Sequence, residues 1–191
     1  APRRGRAQRR VGPSPASRFT SARGVIPRLT HPHGFAAATP PAGAGRIEFA
    51  VGTQTISGPY NVTGTTAVSG GSVTFNNSVT IPTLEFPSGT INIAPGQTLT
   101  LSNLFNWLGG TFGGGGTINP TAGLSLTGSA SLILDAVTLN NPLGQVATDS
   151  GTHPPFLRNG ALLTTTGTVI HRTTAAPRPN SGTGDRHKTT G

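Results

Sequence analysis

The chain has five acids, five histidines, one Trp and one Tyr among its 191 residues, and no Cys. These are the side chains from which a reaction or a binding site would be built. Glycoside hydrolysis needs two carboxyl groups within roughly 5–10 Å of each other. Glu48 stands between Ile47 and Phe49, Glu85 between Leu84 and Phe86, and Asp135 between Leu134 and Ala136. Successive side chains of a strand alternate between its faces, so each of these acids is expected to point outward. A polysaccharide lyase would want a cation to neutralise the uronate and a base to take its proton. Residues 47–157 contain no Lys or Arg, which argues against a lyase; Arg158 and His153 lie just beyond the repeat. The His153-Pro154-Pro155 run reads as a loop.

The remaining motifs are weaker. His31-Pro32-His33 offers two metal ligands and no closed site, and without Cys there is no thiolate site. Gly113 to Gly116 is followed by no Gly-Lys-Ser/Thr, so it reads as a corner and not as a phosphate cradle. No serine stands in a G-x-S-x-G elbow. Asn61-Val62-Thr63 and Asn76-Asn77-Ser78 have the form of glycosylation acceptors, relevant only on a eukaryotic secretory route. Trp107 and Tyr60 could stack on sugar rings if exposed, or fill the interior, Trp107 beneath the Gly109-Gly110 corner. The expectation is therefore no catalytic residue, no cofactor and no metal.

What would position such side chains depends on how the charge is distributed. Residues 1–46 hold nine Arg, seven Pro and no acid; residues 47–157 hold Glu48, Glu85, Asp135 and Asp149 with no base. Residues 158–191 hold Arg158, Arg172, Arg178, Arg186 and Lys188 against Asp185, so +9, −4 and +4 add up to the net +9. The first segment is too polar and proline-rich to offset its own chain entropy and reads as a disordered arm. It lacks the aromatic interleaving of a single-strand binder, which argues against nucleic acid. It also lacks the apolar stretch of a secretory signal. No run approaches the roughly 18 apolar residues of a transmembrane segment.

Between the basic ends the sequence repeats. Val73/Phe75, Val79/Ile81, Leu84/Phe86, Ile91/Ile93, Leu99/Leu101, Leu124/Leu126 and Leu132/Leu134 are apolar pairs spaced by one residue. That is the period of short strands, and Gly, Pro and Asn clusters punctuate them. Val73/Phe75 recurs at Ile91/Ile93, Leu104 at Leu124 and Phe112 at Leu132. About three short strands in each such interval make one coil of a parallel β-solenoid, with coils cut near 60–77, 78–96, 97–116 and 117–136. An antiparallel β-sandwich is the alternative fold. The expected organisation is an Arg/Pro-rich arm over 1–46, a solenoid over 47–141, an irregular last coil or loop over 142–170 and a basic tail over 171–191.

The run from Tyr60 to Asn77 and the Phe105-Asn-Trp-x-Gly-Gly-Thr-x-x-Gly-x-Gly-Thr117 segment resemble repeats of exported bacterial β-helix proteins. These are the autotransporter-passenger, filamentous-haemagglutinin-like and pectin-lyase-like repeats. The resemblance covers about residues 50–140. It implies a right-handed β-helix, a place outside the cell or on its surface, and repeat residues that are structural. The function expected from it is a non-enzymatic structural or adhesin-like segment. Its solenoid faces would meet glycans or surface polymers, and its ends would stack on further repeats. The competing readings are a fragment of a carbohydrate-active β-helix enzyme and a polyanion binder acting through the Arg-rich arm.

Overall fold

The computed structural model describes residues 28–29, 33–35, 41–151 and 153–171. Among them every regular element is a β-strand, and every ladder between strands is parallel. Wherever strands pair, the partners are three apart in chain order, so the chain winds as a solenoid with three faces. The antiparallel sandwich is thereby set aside.

The first face stacks Arg28–Leu29, Ile47–Phe49, Thr65–Val68 and Thr83–Glu85. It resumes through Phe105–Trp107, Leu124–Leu126, Val146–Asp149 and Thr168–His171. The second face runs unbroken from His33–Phe35 through Thr53–Ile56, Ser72–Phe75, Thr90–Ile93, Gly110–Gly113 and Leu132–Asp135 to Phe156–Arg158. The third comprises the pair Ala42–Gly43 and Asn61–Val62, then a ladder of Val79–Ile81, Thr98–Leu101, Thr117–Pro120, Thr138–Asn141 and Leu162–Thr165. The stack amounts to about six turns.

Alternation decides which residues form the core. In Thr98-Leu-Thr-Leu101 and Ser72-Val-Thr-Phe75 the apolar residues are buried and the hydroxyl residues half-exposed. In-register parallel pairing repeats that choice turn after turn, so Val73, Ile91, Phe112 and Leu134 form one inward column. Isolated short strands would not survive in water; stacked, a strand inside a ladder is hydrogen-bonded on both edges and contributes its apolar residues to a shared interior.

The step from Val73 to Ile91 appears as expected. The other two matches shift. Leu124 pairs with Phe105 and not with Leu104, while Phe112 pairs with Leu134 and not with Leu132. Turns lengthen along the axis, from the short step between Thr65 and Thr83 to the longer one between Thr138 and Leu162. The extra residues go into corners such as 127–131, which carry no periodic signal. Strand pairing also reaches beyond the expected 47–141 on both sides, taking in Ala42–Gly43 and the strands of 146–171. Of the arm, residues 1–27, 30–32 and 36–40 lie outside the described residues, as does the tail after His171.

Between Glu85 and Phe105 the first face is held by a single parallel bridge, Phe86 to Trp107. An aromatic cluster fills the interior there. Phe112 meets Phe86, Trp107 and Phe105 with ring centroids 4.8, 5.1 and 5.9 Å apart, all edge-to-face. Gly110 has φ 90°, and a Cβ on it would come within 2.6 Å of the Phe86 ring. The chain bends here only because the residue has no side chain.

Candidate functional site

Ionisable groups gather most densely on the outer side of the first face. Glu48 is in register with Ala67, and Ala67 with Glu85, so the two acids share one column two turns apart. Arg46 lies at the entrance to the strand carrying Glu48 and spans them. Its Nη1 donates to Glu48 Oε2 at 2.8 Å, while Nη2 and Nε donate to Glu85 Oε2 at 2.9 and 3.1 Å. The Ser69 hydroxyl donates to Glu48 Oε1 at 2.6 Å. A guanidinium reaching from one acid to the other crosses the turn between them, where the outward residue Ala67 is only 1% exposed. Burial works against the charge on Arg46. The hydrogen bonds and negative charges of Glu48 and Glu85 outweigh it, leaving its pKa above the ordinary value.

As a chemical arrangement this is a strut. Both carboxylates accept charge-assisted hydrogen bonds from one fork. The cluster ties three successive turns together.

Alternation had pointed Glu48, Glu85 and Asp135 outward. Glu85 is exposed and Asp135 half-exposed, while Glu48 faces outward but is largely covered by its partners. Glu85 and Asp135 are on different faces. Asp135 accepts a 2.6 Å hydrogen bond from Asn159 Nδ2, next to Arg158 in register. Asp149 faces His171 across the last rung, Oδ2 to Nδ1 at 3.2 Å, and accepts from the Gly151 N–H. His153 stands exposed in an irregular segment. The backbone of His33 belongs to the second face, and His31 lies outside the described residues.

Trp107 and Tyr60 are interior residues, which settles their two readings in favour of packing. Trp107 is fully buried and its Nε1 donates to the Gly109 carbonyl at 2.8 Å. Tyr60 pairs its hydroxyl with Thr66 Oγ1 at 2.7 Å, and burial pushes its phenol pKa up despite that bond.

Sequence reasoning missed the Arg46–Glu48–Glu85 cluster. Its signal was present: the separation of Glu48 from Glu85 is the sum of two successive turns, one from Glu48 to Ala67 and one from Ala67 to Glu85. Arg46 was assigned to the arm by its charge, although it abuts the first apolar alternation. Among the described residues three polar ones, Gln54, Thr66 and Asn141, are buried inside. Asn141 donates to Thr165 Oγ1 and the Thr168 carbonyl, both at 3.1 Å, and its Oδ1 has no partner. One neutral acceptor makes no ligand site. Among the described residues no three His, Asp or Glu side chains converge as a metal site would require.

No family model matches the chain, and neither the curated proteins nor the solved structures include a match to it. Among the described residues no helix is long and apolar enough to cross a membrane.

Proposed function

We propose that this chain is a non-enzymatic, adhesin-like structural segment of an exported bacterial surface protein. It acts as a stiff spacer whose faces make many weak contacts with glycans or other surface polymers. The observation that carries the reading is the sustained, in-register parallel stack, with Thr, Ser and Asn outward on turn after turn. Such a rod spaces identical polar groups one strand separation, about 4.8 Å, apart, a geometry suited to repetitive polymers. Individual hydroxyl contacts are weak, and avidity comes from their number. The acids best placed for catalysis are engaged with Arg46, which favours support over turnover.

The test is to incubate the full chain with immobilised and soluble polysaccharides, measuring both retention and product release. Retention on dense polymer, weak binding of short oligosaccharides and no new reducing ends or unsaturated products are expected. Release of products, or salt-sensitive retention on heparin and DNA alone, overturns the reading in favour of an enzyme or an Arg-arm polyanion binder.

A further inference from the structure

The chain has one Asn-Gly pair, Asn159-Gly160, and every other Asn is followed by a residue with a side chain. The pair sits at the corner between Phe156–Arg158 and Leu162–Thr165, outside both ladders. Asn159 has φ 51° and Gly160 φ 76°. The Ala161 N–H donates to the Arg158 carbonyl at 2.9 Å, closing a tight β-turn with the two left-handed residues at its apex. Asn followed by Gly is the pair that adopts such a β-turn most readily. Both residues are exposed, and a Cβ built on Gly160 would meet nothing within 4 Å.

The Asn159 amide also holds something. Its Nδ2 donates to Asp135 Oδ1 at 2.6 Å, which ties the corner of its own turn to the corner of the turn before. The Arg158 carbonyl accepts a second bond there, from the Ala136 N–H at 3.0 Å. A carboxylate only accepts hydrogen bonds, so Asp135 needs a donor at position 159. An aspartate at 159 has no amide hydrogen to give, and it sets a second negative charge against the first.

We propose that Asn159 is a site of spontaneous deamidation, and that conversion there cuts the tie to Asp135 and loosens the turn that carries it. The Gly160 backbone nitrogen, its proton lost to hydroxide, attacks Cγ of Asn159 and closes a five-membered succinimide. The Cγ–Nδ2 bond breaks, and the nitrogen takes a proton from water, regenerating hydroxide, and leaves as ammonia. One water then opens the ring at either carbonyl, leaving aspartate or isoaspartate. Nothing is oxidised or reduced, and water is the only reactant consumed. A side chain on the residue after Asn hinders the attack, and Gly160 has none. The isoaspartate product also adds a methylene to the main chain between the two positive-φ residues, which breaks the geometry of the β-turn.

The test holds the full chain in mildly alkaline buffer, samples it over time and maps its tryptic peptides by mass spectrometry. Trypsin cuts after Arg158 and Arg172, and Asn159 is the sole Asn between them. That peptide is expected to gain the mass of an amide-to-acid change, as two separable products, before any peptide holding another Asn. Asn159→Gln, whose ring would be six-membered, should stay unchanged over the same time. Asn159→Asp should unfold at lower urea concentration than the parent chain. Adding Asp135→Asn to it should restore most of the loss, because donor and acceptor are then merely exchanged. Conversion of other asparagines ahead of Asn159 overturns the site. A urea midpoint unaltered in Asn159→Asp, or a loss that Asp135→Asn leaves unrepaired, overturns the tie.

Discussion

Glu48 shows how a position's meaning changes with its neighbours. Flanked by Ile47 and Phe49 it reads as a solvated acid, yet its side chain is only 15% exposed because Arg46 and Ser69 cover it. Removing the cation should therefore cost more than removing the exposed acid. Arg46→Ala should lower stability by about 1–2 kcal/mol, since it removes one charge-assisted hydrogen bond from the part-buried Glu48 and two from Glu85. Glu85→Gln, whose side chain is about half exposed, should cost under about 0.5 kcal/mol. Urea denaturation midpoints of the two variants check the order. If Glu85→Gln proves the more costly, the strut is not centred on Glu48. The acids and their outward direction were legible from strand alternation. Their convergence was not, because it depends on the lengths of the two turns between them and on Arg46 belonging to the fold.

Strands and corners obey different rules in this molecule. Within a strand the side-chain period is two, so one inserted residue exchanges its inner and outer faces. At a corner the same insertion only lengthens a loop, and loop-closure entropy grows slowly with length. Turns as different as Thr65-to-Thr83 and Thr138-to-Leu162 coexist here for that reason. Inserting Gly-Ser between Leu143 and Gly144 should change stability by less than about 1 kcal/mol. Inserting one Ser between Thr98 and Leu99 should turn Leu99 and Leu101 out of the core and unfold at least the central turns. Thermal melts followed by far-ultraviolet circular dichroism or by Trp107 fluorescence would distinguish the two variants, and equal destabilisation would contradict this division of labour. Short strands were readable from Val73/Phe75 or Ile91/Ile93, whereas register failed at Phe112 because the corner after Leu126 adds residues without a pattern.

At the scale of the whole molecule each turn touches only its neighbours, so local stability should follow position along the axis. The aromatic cluster around Phe112 lies near the middle of the stack, while the last strands have one open edge. In dilute solution, amide exchange should be fastest in Thr168–His171 and Leu162–Thr165 and slowest in Thr90–Ile93 and Gly110–Gly113. Uniform exchange along the stack would mean that the turns unfold as a single unit.

By itself, the sequence determined the β period, the inward set of Val, Ile, Leu and Phe, and the separation of basic ends from an acid-only middle, since each is a local property of spacing and composition. Only the tertiary structure decided which turn lies over which, because corner lengths set register and corners carry no period. Register in turn brought Arg46, Glu48 and Glu85 together and buried Trp107 against Phe112. It also placed Phe156, Leu162 and Ile170 in register with Ile133, Thr138 and Thr148.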